Sequence, residues 1–334
     1  MPETMRAVGI TGFGGPEVLE VVELPRPKLR RGMVAIRVHA AAVSPADVGL
    51  RSDGGKAIDA GDDGPGVLSG PPPWVPGMDA AGVVTAVGEP GAAGPTDLLL
   101  GDRVMTIVVP FGDRPGAMAE YVAVPAESAV RIPGGLSFEE ASTIPMNALT
   151  AWIVRREFAL PAGASVAVTG GAGFLASMFI ALAAHSGVRV IADAAPVDEE
   201  LVRSYGAHTV VPRDGDFAQR VRTVVPGGVD AVFDTACLRQ RALPAIRDGG
   251  LIICARPWSG ETERGIDHRT VVVGYEAKNH AALAEIAGLV ADGVLRPRVA
   301  KVFAPADAAG AHHLMEAGGI RGRAVVDFSA LPPA

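Results

Sequence analysis

The chain has 334 residues, of which 49% are hydrophobic and 20% charged, a balance that supports a large buried core and excludes a disordered or fibrous protein. A formal net charge of −7, with no run of Lys or Arg, argues against nucleic acid or acidic membrane surfaces as partners. Two cysteines, Cys237 and Cys254, cannot supply a disulfide framework or a cysteine-rich metal site, and the first residues lack the apolar core of a signal peptide, so a reducing, cytoplasmic setting is expected.

In chain order, the first 130 residues are rich in short β-branched segments. Residues 33–39, 82–87, 102–109 and 119–124 predict strands separated by Gly, Pro and Asp turns, the pattern of an antiparallel, barrel-like domain. Residues 51–77 read as a long loop, rich in Gly, Pro and Asp and carrying Trp74. Between Glu157 and Arg189 there is no charged residue, and 174–184 is almost wholly apolar. A membrane-spanning helix needs about 20 continuous apolar residues, but Gly170, Gly171 and Gly173 interrupt this run. A buried strand followed by a buried helix is expected there, and no membrane partner.

The rhythm then alternates. Strands are expected at 165–169, 189–193, 208–211, 229–234 and 251–254, with helices at 173–185, 198–205, 216–224 and 239–247 between them. Residues 271–275 predict a sixth strand. Such alternation builds βαβ crossovers and a parallel sheet covered on both faces, a doubly wound α/β domain. Amphipathic helices at 281–295 and 306–317 and a strand at 323–328 follow. His312 and His313, adjacent on the second of these helices, read as surface residues on different faces.

The first strand of the alternating region runs into Thr169-Gly170-Gly171-Ala172-Gly173-Phe174-Leu175-Ala176. A turn without Cβ atoms lets backbone N–H groups approach a pyrophosphate at a helix N-terminus, where the dipole favours negative charge. Gly171 through Ala176 satisfies G-x-G-x-x-A, with Ala176 allowing close helix–strand packing, and the strand–turn–helix context strengthens the motif. The turn also resembles that of short-chain dehydrogenases, but about 160 residues precede it, and Tyr275-Glu-Ala-Lys278 has the wrong spacing for that family's Tyr-x-x-x-Lys pair.

End to end the chain instead resembles the medium-chain dehydrogenase/reductase superfamily, in its zinc-free quinone oxidoreductase (zeta-crystallin-like) branch. The resemblance is carried by Gly14-Gly-Pro-Glu-Val-Leu, Val43-Ser-Pro-Ala-Asp47, Val75-Pro-Gly-Met-Asp-Ala-Ala-Gly82 and Ala119-Glu-Tyr-Val-Ala-Val-Pro125. It continues through Leu149-Thr-Ala-Trp152, the glycine turn, Gly228-Val-Asp-Ala-Val-Phe-Asp234 and Ile320-Arg-Gly-Arg323. It implies a discontinuous GroES-like, β-rich catalytic domain from residues 1–126 and 278–334, and a Rossmann domain at 127–277, with the cofactor in the cleft between them. It also implies a homodimer formed through the 271–275 edge of the Rossmann sheet, which would hide an aggregation-prone strand edge.

Zinc members of this superfamily use a Cys, a His and a second Cys, and those positions align with Ser44, Met78 and Met146. A hydroxyl and two thioethers do not supply the thiolate and imidazole ligands that zinc takes, so no metal is expected. Hydride transfer to an unactivated carbonyl is hard without a Lewis acid. An electron-poor quinone or enone is easier, because charge delocalises and water can deliver the proton. The expected function is therefore zinc-independent hydride transfer from NAD(P)H to a quinone or α,β-unsaturated carbonyl. The alternatives are a cofactor-binding protein without turnover, or a non-redox tailoring enzyme with a structural nicotinamide.

For the cofactor, local chemistry and resemblance disagree. Asp193 ends the second strand, 22 residues after Gly171, where a carboxylate accepts both ribose hydroxyls and favours NAD. The resemblance places it one residue earlier than the ribose-binding Asp of zinc alcohol dehydrogenases, so it either reads the ribose or points elsewhere, and zinc-free relatives prefer NADP. A carboxylate about 4 Å from a 2′-phosphate costs roughly 4 kcal/mol per charge pair at an effective dielectric of 20, so a cation must offset it. Arg213 is that cation, or else a solvated surface charge. NADP is the expected cofactor and NAD the alternative.

The resemblance places Gly170, Gly171, Gly173, Phe174, Leu175 and Ala176 at the pyrophosphate. It places Cys237, Ala255 and Arg256 in loops towards the nicotinamide half, with Arg321 as a further cofactor contact. Ser44 stands where the family often has Asn near the nicotinamide, and Gly49 where it has Tyr. Ser44 and Thr150 are the candidate catalytic residues, while Asp47 reads as structural and Tyr121 as core. Trp74 and Trp258 either wall an aromatic substrate or pin their own loops.

Overall fold

Residues 33–42 alternate between buried and half-buried side chains, the signature of a strand with one face on a core. The computed structural model, which describes residues 3–55, 68, 70–94, 96–110, 114–213 and 215–329, places this strand at the centre of the first of two units. That unit comprises Met1–Met146, Gly274–Ala291 and Pro297–Ala334, and the second Asn147–Val273 with Asp292–Arg296.

In the first unit, β1 (Thr4–Ile10) and β2 (Leu19–Pro25) form an antiparallel pair. Then come β3 (Met33–Ala42), α1 (Pro45–Asp53), β4 (Asp79–Val87), β5 (Arg103–Ile107), β6 (Tyr121–Pro125), β7 (Ala129–Arg131) and α2 (Phe138–Ser142). β3 pairs antiparallel with β4 and with β6, and Val34, Ile36 and Val38 join Val84, Val104 and Val122 in one core. The four expected strands are present, shifted by a few residues. The long loop expected at 51–77 begins inside α1, which Gly54 ends at φ 77°, and residues 56–67 and 69 of it lie outside the described residues. The unit continues past residue 126 to Met146, with α2 packed on β3, β4 and β5.

The second unit holds most of α3 (Pro145–Phe158), then β8 (Ser165–Thr169), α4 (Phe174–His185), β9 (Arg189–Ala194), α5 (Glu199–Ser204) and β10 (Thr209–Pro212). α6 (Phe217–Val224), β11 (Val229–Asp234), a 3-10 helix at Arg239–Ala245, β12 (Ile246–Cys254) and β13 (Asp267–Thr270) complete it. All six strands are parallel, in the order β10-β9-β8-β11-β12-β13. This is the doubly wound Rossmann order, with the switch point where β8 lies between β9 and β11. The apolar run 174–184 becomes the interior of α4, and none of the described helices is long and apolar enough to cross a membrane.

Two expectations in this unit are corrected. Residues 271–275 are not the sixth strand: β13 is Asp267–Thr270, in register with Leu251–Cys254, and Val273–Glu276 turns into a 3-10 helix. The polar Asp-His-Arg-Thr sequence gives no strand signal because an edge strand faces water, whereas the valines beyond it mimic one. The helix expected at 239–247 is 3-10, with Pro244 removing a donor, and β12 already begins at Ile246.

The chain then returns to the first unit with α7 (His280–Ala291), β14 (Val299–Phe303), α8 (Ala308–Ala317) and β15 (Arg323–Asp327). β15 pairs antiparallel with Ala40–Ala42 of β3 and parallel with β14. The seven-stranded sheet thus runs β14-β15-β3-β4-β5-β7, with β6 also on β3. His312 corrects another expectation: it is fully buried on α8, and among the described residues neither ring nitrogen has a hydrogen-bond partner. Helix periodicity could not reveal that α8 packs on α1, whose Arg51 is also buried.

Candidate functional site

β8 ends at Thr169, and Gly170 turns the chain at φ 69°, a conformation strained for any residue with a Cβ. Gly171 is needed for space, since a Cβ there would lie 2.7 Å from the Asp193 carbonyl oxygen and 3.0 Å from the Ala192 Cβ. Gly173 is the N-cap of the 12-residue α4 and brings no side chain to its amides. Phe174 and Ala176 point into the core, and Leu175 is half-buried. An uncapped helix start behind a turn without Cβ atoms suits an anion, so these residues fit the pyrophosphate of a dinucleotide.

Asp193 does not present itself as a ribose acceptor. It is 4% exposed, and its Oδ1 accepts the N–H groups of Gly170 at 2.5 Å and Gly171 at 3.2 Å. Burial pushes its carboxyl above the usual range, opposed by the Gly171 N–H and by the Arg213 guanidinium. Arg213 holds its Nε 3.8 Å from Asp193 Oδ2 and is itself half exposed; its backbone N–H bonds the Ala194 carbonyl at 2.9 Å.

Sequence reading missed Asp234, at the end of β11. It is fully buried and accepts from Thr169 Oγ1 at 2.6 Å, Leu238 N at 3.0 Å and Arg239 N at 2.6 Å. The Ala236 N–H in turn donates to Thr169 Oγ1 at 2.9 Å. This knot fixes the loop in which Cys237 and Arg239 adopt φ 56° and 55°. Its available signal was a charge directly after the apolar Ala231–Phe233 of the strand. Ala255 donates its N–H to the Asp234 carbonyl at 3.1 Å, and Arg256 is exposed. Cys254 is buried, its thiol pushed up to about 12 first by burial and then by Asp234. Trp258 packs edge-to-face on His268 at 4.8 Å and against the sheet core, which pins its loop. Thr150 is buried on α3, in this same unit.

In the first unit, Ser44 is the N-cap of α1 in a capping box with Asp47. The buried Ser44 hydroxyl donates to Asp47 Oδ2 at 2.7 Å, while Asp47 Oδ1 accepts the Gly77 N–H at 2.8 Å. Asp47 is therefore structural, and the Ser44 hydroxyl enters as a helix cap already bonded to a carboxylate. Asp79, a residue the sequence did not single out, accepts the Met146 N–H at 2.6 Å and pairs with Arg323 at 3.1 Å. Arg323 also donates to the Val43 carbonyl at 2.8 Å. Complete burial pushes the Asp79 carboxyl up to about 7 against the pull of Arg323, and burial likewise raises Asp47.

These two carboxylates hold the backbone at or beside Ser44, Met78 and Met146, the positions aligned with zinc ligands. A bonded hydroxyl and two buried thioethers do not fit zinc. Among the described residues, no cluster of three or more His, Cys, Asp or Glu side chains could hold a metal ion. Tyr121 packs on the core beneath the Arg26 guanidinium, 3.6 Å from its ring centre. Trp74 stacks on Phe13 at 4.9 Å and donates its indole N–H to the Gly70 carbonyl at 3.2 Å, which pins its loop. It also lines a cavity of about 370 Å³ with Met5, Leu24, Pro73 and Arg114. Arg321, exposed in this unit, hydrogen-bonds the Gly319 carbonyl.

Known proteins share this arrangement. Residues 30–134 match the alcohol dehydrogenase GroES-like domain, and residues 205–326 the zinc-binding dehydrogenase family. The chain is 33% identical over 262 residues to the chloroplastic NADPH-dependent alkenal/one oxidoreductase of Arabidopsis thaliana, covering 76% of this chain and 63% of that protein. It is 30% identical over 260 residues to the 2-methylene-furan-3-one reductase of Solanum lycopersicum, covering 76% and 62%. It thus spans less than two thirds of the length of these two curated relatives. The solved quinone oxidoreductase of Coxiella burnetii superposes with a TM-score of 0.81 at 25% identity, over 97% of this chain and 99% of that one.

Proposed function

Because the chain belongs to the medium-chain dehydrogenase/reductase superfamily, we propose that it is a zinc-independent oxidoreductase of the quinone oxidoreductase branch, transferring a hydride from NADPH to a quinone or α,β-unsaturated carbonyl. The observation that carries this is the donor set at the reaction centre: Ser44 bonded to Asp47, with Met78 and Met146 where zinc relatives place ligands. Without a Lewis acid the acceptor must itself spread the incoming charge, as quinones and enones do. The names of the relatives, an alkenal/one oxidoreductase, a furanone reductase and a quinone oxidoreductase, support the same substrate class.

A bound nicotinamide supplies the hydride from its C4. The chain's own part is binding and orientation. The turn at Gly170, Gly171 and Gly173, without Cβ atoms, lets the pyrophosphate reach the start of α4, and Asp234 fixes the loop carrying Cys237. With the Ser44 hydroxyl tied to Asp47, solvent water delivers the proton.

Purified protein mixed with a panel of quinones and enones should consume NADPH, followed by loss of reduced-nicotinamide absorbance. Consumption of neither NADPH nor NADH with any acceptor would falsify this function. The committed Ser44 hydroxyl, and Gly49 in place of a tyrosine, favour a second reading, a cofactor-binding protein without turnover. Tight nucleotide binding with no consumption would establish it. We also read the chain as a cytoplasmic homodimer assembled through the β13 edge of the Rossmann sheet; sedimentation showing only monomer at micromolar concentration would reject the dimer.

A further inference from the structure

The second unit holds a cavity of about 290 Å³ whose wall contains none of the residues assigned to the dinucleotide. α3 contributes Trp152 and Phe158 to it, and α4 contributes Phe179 and Ala183. Leu160 and Val188 come from the segments that lead into β8 and β9, so the cavity lies at the amino ends of these strands. The glycine turn lies at the other end, after Thr169, where doubly wound sheets bind nucleotides. Phe158 meets Phe179 edge to face at 5.7 Å, and Phe179 meets Phe233 in the same way at 5.0 Å, which fixes the aromatic wall from behind. The polar part of the wall is Arg155, Arg156 and Ser186. The Ser186 hydroxyl donates to the Leu182 carbonyl at 2.9 Å, while Arg156 lies over the Trp152 ring at 5.3 Å with its side chain 41% exposed. Among the described residues that line the cavity none is Asp or Glu. The neighbouring Glu157 is shared between Arg156 at 3.1 Å and Arg269 at 3.0 Å.

We infer that this cavity is a binding site for a compact aromatic carboxylate, separate from the dinucleotide site, with the ring against Trp152, Phe158 and Phe179 and the carboxylate on Arg155 and Arg156. Aromatic walls with two guanidiniums and no carboxylate call for a guest that is flat, apolar and singly negative. The ring gains from leaving water and from edge or offset contacts with the three aromatic side chains. A guanidinium meets a carboxylate through parallel N–H donors, which sets the guest's orientation. Small-molecule sites are apolar with a few orienting polar groups, and a volume near 300 Å³ is the small end of their range, so the guest is compact. It would rest on α4, whose other end is the Gly173 N-cap of the glycine turn. The inference holds whether or not the chain reduces quinones.

The test is calorimetric titration of the whole chain with 2-naphthoate and with its uncharged analogue 2-naphthol. 2-Naphthoate should bind saturably with a Kd on the order of 0.1 mM, and 2-naphthol about 10-fold more weakly. The double variant R155Q/R156Q should weaken 2-naphthoate by about 10-fold and leave 2-naphthol unchanged. A183F, which fills the cavity from α4, should abolish binding of both. Should A183F fail to fold, L160W fills the cavity from the segment before β8 and carries the same expectation. Binding of 2-naphthoate should persist in saturating NADPH. The inference is overturned if 2-naphthoate does not bind saturably, if 2-naphthol binds as tightly, or if R155Q/R156Q behaves as the wild type. It is equally overturned if the folded cavity-filling variant still binds, or if NADPH displaces 2-naphthoate.

Discussion

In the second unit, Asp193 and Asp234 sit at the ends of parallel strands and are satisfied mainly by N–H groups of the turns beside them. In the first unit, Asp79 opens a strand inside an antiparallel sheet, and besides one amide it faces the guanidinium of Arg323, 244 positions away in the chain. Where a strand gives way to a turn, backbone donors are not yet claimed by a ladder and can solvate a carboxylate. Within a sheet the ladder has consumed them, so a buried carboxylate there needs a side-chain donor. The first arrangement is assembled from near neighbours and the second only by long-range folding.

The largest expected effect breaks the long-range pair. R323M leaves Asp79 buried without its cation and should cost about 3–5 kcal/mol in urea unfolding near pH 8. The loss should be smaller near pH 5, where Asp79 takes up a proton; equal losses at both pH values would show that the pair carries little charge. Next, D234A strips the second unit's knot of its acceptors and should cost about 1–3 kcal/mol, with weaker nucleotide binding. A loss no larger than that of an exposed alanine substitution would show that the Cys237 loop holds itself.

Protonation sharpens the comparison further. Asp79 has a folded-state pKa raised to about 7 from 3.8, so its contribution is fully present below 3.8 and is lost as pH rises through about 7. His312 is lowered from 6.5 to about 3 by burial and by Arg51, so its contribution is present above 6.5 and is lost as pH falls through about 3. Each slope is bounded at about 1.4 kcal/mol per pH unit, and between pH 3.8 and 6.5 the two oppose one another. Unfolding followed across pH should show D79N removing the decline towards neutrality and H312F removing the decline towards acid. Unchanged profiles in both variants would refute the assignment. The smallest effect is a surface control: E199A breaks an exposed i,i+4 pair with Arg203 and should cost about 0.3–0.5 kcal/mol by thermal unfolding.

The same contrast explains what was legible in the sequence. β8 and β11 match the expected 165–169 and 229–234 because buried parallel strands carry short β-branched and apolar cores, Val166–Val168 and Ala231–Phe233, and the glycine turn declared itself because its physics is contained in eight residues. β13 was displaced because an edge strand need not be apolar, and Pro244 made a 3-10 helix of an expected α-helix. The residue types at Ser44, Met78 and Met146 were readable, but not the Asp79–Arg323 pair beside them, since no local periodicity links β4 to β15. The hydrogen bonds from Gly170 and Gly171 to Asp193 were not readable, because spacing along a chain does not say which way a carboxylate turns.

The position of β15 bears on how the chain is made. A ribosome delivers β3 and β4 first, the whole Rossmann sheet next, and Arg323 only after it. Until then Ala40–Ala42 of β3 present an unpaired edge, and Asp79 has no guanidinium to meet. The Rossmann sheet can close while the chain is still emerging, whereas the first unit must wait for β15 as a half-built sheet. Emergence of β15, rather than of β3 or β4, is the moment at which this buried carboxylate acquires its cation.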